Sequence, residues 1–254
     1  MELWTKEHAV TLIPAVVVML ILGIILRKAL GGKYLKIRMI PFQIFACILL
    51  LLEAGKQILS LKQGYDLYHL PFHFCSLFIF ALPAMAFYKG KHRTTVSAIT
   101  TALCASVFLL MLIYPNLIYS GGAVTEFFTN YFSFHTVAFH NIVMLECVLI
   151  LALQLHTPEE KGEPKKIVWF IIVFCVVSAS MAHLLKTNYA NYYTCNIPVL
   201  ESVRLAVAGV LGPVVAKLLY ILIVSALNVG FVLGSYWLYR LLLPAKRKAM
   251  QIAE

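Results

Sequence analysis

Seven runs of apolar residues, separated by short stretches rich in charge, Pro or Gly, set the pattern of this chain. They lie near residues 9 to 26, 40 to 61, 70 to 88, 95 to 118, 131 to 154, 167 to 186 and 211 to 242. Crossing about 30 Å of hydrocarbon takes roughly 20 apolar residues in a helix, and each run meets or approaches that length. The pattern predicts an all-α polytopic membrane protein with seven transmembrane helices. The positive residues near the first run follow it and no small-residue cleavage site succeeds it, so it reads as a retained helix. Short connections, with no internal repeat and no Ser/Gly-rich linker, make residues 1–254 a single integral membrane domain.

Composition agrees, with 61% hydrophobic and only 13% charged residues and a mean hydropathy of +0.87, outside the range of soluble domains. Charge adds a direction. The formal net charge is +10, and Lys and Arg favour alternate connections. Arg27, Lys28, Lys33, Lys36 and Arg38 lie between runs one and two, and Lys89, Lys91 and Arg93 between three and four. Lys161, Lys165 and Lys166 lie between five and six; Arg240, Lys246, Arg247 and Lys248 end the last run. By the positive-inside rule this side is cytoplasmic, so seven crossings leave the N-terminus outside and the C-terminus cytoplasmic. The basic residues then serve topology and anionic-lipid contact, and no nucleic-acid partner is expected.

Against that topology the polar residues concentrate in the outer half. Glu53, Lys56, Gln57 and Ser60 share one helical face near the outer end of run two. Run five carries His135 and His140, run six ends with His183 and Lys186, and run seven begins near Lys217, while Glu146 and Asn228 sit near mid-depth. Ionisable side chains in a membrane need a partner, a cavity or a function. Their convergence predicts a polar chamber open to the outer leaflet.

The segment HLPFHFCS, His69 to Ser76, carries the most specific chemistry. Pro71 suits the first position of a helix, whose free N–H groups would favour a thiolate at Cys75. Cys47, Cys104 and Cys175 lack this setting. His73 and Cys75 are about 200° apart on a helix, so a base from another helix is expected. His135 and His140 are both candidates, about 140° apart, and the deeper His140 is preferred. Five of the six cysteines fall within predicted helices and only Cys195 in an outer loop, which argues against a disulfide framework. No Cys-x-x-Cys or His-Glu-x-x-His motif signals a metal. The aromatic and amide-rich stretch TNYANYYTCNIP fits interfacial anchoring, with Asn188 and Asn191 able to cap helices or bind a head group, and Glu201 and Arg204 are spaced to pair on a short interfacial helix. Gly121 and Gly122 mark a turn in YSGGAVTEFF.

HLPFHFCS, FSFHTVAFHN and KTNYANYYTCNIP, in this order across the apolar runs, resemble the bacterial YwaF-type integral membrane proteins, which implies a bacterial plasma-membrane location. More remotely the chain is similar to the eukaryotic transmembrane protein 164 group, associated with cysteine-dependent acyl transfer between phospholipids. That group in turn resembles the androgen-induced membrane hydrolases, which use a threonine and a histidine. The resemblance implies Cys75 as acyl acceptor and His140 as its base.

The expected activity is a phospholipid acyltransferase or hydrolase working without metal or organic cofactor. His73, His135, Asn141, His183, Asn188, Glu53 and Lys56 are the expected substrate-binding residues, with His73, Asn141 and Asn188 as candidate oxyanion donors. The rival is a non-catalytic receptor or transporter for a lipid or small molecule. Against receptors stand the absence of Asp-Arg-Tyr after run three and of Asn-Pro-x-x-Tyr on run seven. A retinal Schiff base at Lys217 would lack a carboxylate counter-ion on run three.

Overall fold

The computed structural model describes residues 4–119, 122–158, 162–195 and 198–243. Gly121, Lys161, Lys246, Arg247 and Lys248, used above for turn and topology, lie outside the described residues. The helices are α1 (Lys6–Leu30), α2 (Leu35–Lys62), α3 (Phe78–Phe87), α4 (Arg93–Ile113), α5 (Tyr131–Ala152), α6 (Glu163–Leu184), α7 (Pro198–Leu211) and α8 (Pro213–Leu242). Among the described residues there is no strand. Six of these helices, all but α3 and α7, are long and apolar enough to cross a membrane. Large apolar side chains such as Val10, Ile13 and Val17 on α1 and Leu218 and Leu222 on α8 face outward, as a lipid-facing surface requires.

The third run departs from expectation. A helix starting near Leu70 with Pro71 in its first turn does not form; apolar helix spans only Phe74–Phe87, opening as a 3-10 turn at Phe74–Leu77. Leu70 (φ −64°, ψ 149°) and His73 (φ −78°, ψ 154°) are extended. Proline disfavours the α conformation in the residue before it, so Pro71 holds Leu70 out of the helix.

A non-helical stretch inside a bundle needs partners for its backbone, and other elements supply them. The carbonyl of Leu67 accepts from the Tyr189 hydroxyl, that of Tyr68 from His73 Nε2–H at 3.0 Å, that of His69 from Gln57 Nε2 at 2.9 Å and that of Phe72 from Ser178 Oγ at 2.8 Å. The Ser60 hydroxyl meets His69 Nδ1 at 2.7 Å. Much of the polar stripe on α2 therefore holds a loop.

The centre of the bundle is α4, which packs on α3, α5, α6 and α8. Its buried face is mostly small: Ser97, Ala98, Thr100, Thr101, Ala102, Cys104, Ala105 and Ser106. Such residues let helix backbones approach where lipid offers no hydrophobic drive for association. On α1, Gly23 serves the same end, since a Cβ there would lie 2.7 Å from Val148 Cγ1 of α5. Between α7 and α8, Gly212 turns the chain at φ +85°, a conformation that only glycine takes without strain, and Pro213 starts α8.

The two ends differ. At one, the basic connections come together: Arg38 Nη1 donates to the Leu153 carbonyl at 2.6 Å and Lys166 Nζ to Thr95 Oγ1 at 3.1 Å. At the other lie the 67–77 stretch, the residues after α4 and the loop between α6 and α7.

Candidate active site

At this second end a cavity of about 590 Å³ opens between α2, the 67–77 stretch, α4, α5, the loop after α6 and α8. Cys75, the second residue of the 3-10 turn, lines it, as does His140 from the middle of α5. Their Sγ and Nε2 atoms are 3.0 Å apart. His140 Nδ1 lies 2.6 Å from the carbonyl of Thr136, one turn earlier in α5. A carbonyl can only accept, so Nδ1 carries the ring proton of the neutral imidazole, and Nε2 is left as a bare acceptor aimed at the thiol. The ring is buried and edged by Tyr119 and Phe139. A nucleophile, a base in hydrogen-bond reach and a third group fixing the base constitute the general arrangement for covalent catalysis.

His135, the alternative base, points elsewhere. Its Nε2 is 3.1 Å from Glu53 Oε2, while Glu53 Oε1 accepts from Lys56 Nζ and Gln57 Nε2, each at 2.7 Å. This cluster lines another wall of the same cavity through Glu53, Lys56 and His135.

Of the other expected binding residues, His73 and Asn188 also line the cavity. His73 donates Nε2–H to Tyr68 and packs its ring against Tyr68 and Tyr189. The neutral ring then has only an acceptor left to offer, which argues against it as an oxyanion donor. Asn188 Oδ1 accepts from the backbone N–H groups of Tyr193 and Thr194, and its amide faces Asn191 Oδ1 at 3.5 Å. Asn141 and His183 do not line the chamber. Asn141 gives an N–H to the Val137 carbonyl at 2.9 Å, because one residue beyond His140 turns it about 100° away. His183 packs against Tyr193, over whose ring Lys217 Nζ sits at 5.2 Å from the centroid.

The chamber also draws on α4 and α8. Ser106 and Val107 of α4 and Asn228, Phe231 and Val232 of α8 line it. Ser76, beside Cys75, also lines it and carries a hydroxyl. Sequence reasoning gave Ser76 and Ser106 no role and left Asn228 at mid-depth without one; a polar residue on an apolar helix was the only signal. Glu201 and Arg204 pair on α7, with Nε to Oε2 at 2.8 Å. None of the six cysteines forms a disulfide, and the described residues contain no group of three His, Cys, Asp or Glu side chains able to hold a metal.

Among known proteins, the model of the TMEM164 family matches residues 3–203, a stretch that includes Cys75, His140 and the Glu53 cluster but ends before α8. This match does not extend to the YwaF-type group, whose likeness rests on the three motifs. No curated protein and no solved structure matches the chain.

Proposed function

The chain belongs to the TMEM164 family of membrane proteins, and from that premise we propose that it is a membrane-embedded acyl-transfer enzyme with Cys75 as nucleophile and His140 as base. The observation that carries this reading is the 3.0 Å contact between Sγ and the unprotonated Nε2. His140 takes the thiol proton as sulfur attacks the ester carbonyl of a phospholipid. The tetrahedral intermediate collapses with cleavage of the bond between the acyl carbon and the glycerol oxygen. His140 returns the proton to that oxygen, releasing a lysophospholipid and leaving a thioester on Cys75. A hydroxyl of a second lipid, or water, then gives its proton to His140 and attacks the thioester, regenerating the thiol.

The oxyanion of each tetrahedral intermediate needs donors aimed at it from the cavity wall; the Ser76 hydroxyl and the Asn228 amide are the groups we assign. Apolar neighbours, among them Phe74, Ile79, Val107 and Phe231, suit an acyl chain. The proposed orientation sets the basic end in the cytoplasm and the N-terminus and chamber at the opposite face, counting 70–87 as a seventh crossing. Labelling of single engineered cysteines tests it: Thr129→Cys should react from outside intact cells and Lys91→Cys should not. The reverse result would overturn the orientation.

Intact-protein mass spectrometry after incubation in membrane phospholipids tests the chemistry. The wild type should carry an acyl mass that hydroxylamine removes and that Cys75→Ala lacks. A purified wild type that binds phospholipids yet leaves every ester intact under reducing conditions would replace this reading with lipid binding or transport.

A further inference from the structure

The Glu53 cluster shares the chamber with the Cys75–His140 pair but is differently built. Both Glu53 oxygens are occupied, one by Lys56 and Gln57 and the other by His135. Three N–H donors already converge on this carboxylate, which leaves it little capacity to receive a ligand cation. Its effect is to fix Lys56 and His135 on the cavity wall. The Lys56 side chain is 13% exposed and lines the cavity; one of its three N–H groups goes to Glu53, and the other two have no protein partner among the described residues. Its charge lies within electrostatic reach of Cys75, His140 and His73. A largely dehydrated ammonium with two free donors is a strong site for a charged acceptor.

We infer that Lys56, positioned by Glu53 and accompanied by His135, is the subsite for the phosphodiester of the phospholipid whose ester Cys75 attacks. The charge count favours a diester. Glu53 already neutralises Lys56, so the pair carries no net charge and matches a singly charged phosphate group better than the dianion of free phosphate. Geometry agrees, because phosphate and acyl ester are neighbours on one glycerol backbone and the cluster and the thiol are neighbours in one cavity. The inference rests on the acyl-transfer reading for the identity of the ligand, and its test does not use the reaction.

The test is calorimetric titration of purified Cys75→Ala protein with diheptanoyl phosphatidylglycerol and, separately, with diheptanoylglycerol, which lacks the phosphate. Adding Lys56→Met should weaken phosphatidylglycerol binding about 10- to 100-fold, as expected for loss of a charge-assisted contact, and leave diheptanoylglycerol binding unchanged. Lys56→Arg should retain most of the affinity. Unchanged phosphatidylglycerol binding in Lys56→Met overturns the assignment, and so does loss of both ligands together, which would make Lys56 a residue of the fold. Inorganic phosphate should fail to displace phosphatidylglycerol at millimolar concentration; displacement would make this a free-anion site and overturn the lipid assignment. Since the titrated protein has no nucleophile, these results stand whether or not Cys75 is acylated.

Discussion

Two buried histidines close together in sequence end up in opposite circumstances. His140 sits within α5 facing the chamber, with Nε2 bare and a thiol 3.0 Å away. His156 follows the end of the same helix at the basic end. Its Nε2 lies 3.1 Å from the Tyr236 hydroxyl, and that hydroxyl spends its only proton on Glu163 Oε2 at 2.6 Å. His156 Nε2 must therefore be the donor. Tyr239 closes the group by donating to the His156 carbonyl at 2.6 Å. Both rings are buried, and each has a tautomer set by its neighbours. What distinguishes them is whether the remaining nitrogen meets a reactive group beside empty space. Burial of a histidine is not by itself a sign of chemistry.

The largest expected effect is a crossed pair of substitutions. His140→Ala should lower acyl-transfer turnover by about 10²- to 10⁴-fold, the usual contribution of a positioned base, with little change in melting temperature. His156→Ala should do the opposite, costing about 1–3 kcal/mol through a broken buried network while the surviving folded protein keeps its turnover. Turnover assays and thermal unfolding on both variants check the pair, and equal loss of turnover in the two would erase the contrast.

Alkylation sharpens the assignment within α5. His140→Ala should slow reaction of Cys75 with a small maleimide near neutral pH by about tenfold or more, because the thiolate is the reactive form. His135→Ala should slow it less, since Glu53 holds that ring away. Equal slowing would move the base role to the two together.

Smaller again is the effect in the stretch that leads to Cys75. Ser178→Ala leaves the Phe72 carbonyl without its donor and should cost about 1–3 kcal/mol of stability, read as a lower melting temperature together with faster proteolysis near residue 72. No change in either would mean that this carbonyl finds another partner.

The effect that vanishes at neutral pH is a pH dependence at the basic end. Burial first, and then the charge of Arg240, hold the His156 imidazole down to about 4. A histidine lowered in the folded state lets the unfolded chain bind the proton first as pH falls. Its contribution to stability is thus full above about 6.5 and declines toward pH 4. His156→Gln should flatten that decline in thermal unfolding measured from pH 7 to 4.5; an unaltered slope would assign it to other groups.

Much of this was legible in residue order. Run length found all six long helices, and the alternation of charge set Arg38 and Lys166 at the end opposite the chamber. The three-residue spacing of Glu53 and Lys56 put them on one helical face, and the structure pairs them there. The third run misled, because counting apolar residues does not register that Pro71 keeps Leu70 extended, nor that Gln57, His73, Ser178 and Tyr189 stand ready to satisfy a non-helical backbone. Asn141 and His183 were assigned to the chamber by depth alone, and depth carries no rotational information.

The sequence by itself determined the class of molecule, the candidate nucleophile and a short set of candidate bases, because hydrophobic length, charge asymmetry and residue chemistry are properties of segments. Only the tertiary structure decided that His140 and not His135 meets Cys75, that Glu53 joins Lys56 to His135, and that α8 brings Asn228 to the cavity. Those outcomes depend on which faces of distant helices turn toward each other, and helix rotation is set by packing across the bundle rather than by any one segment.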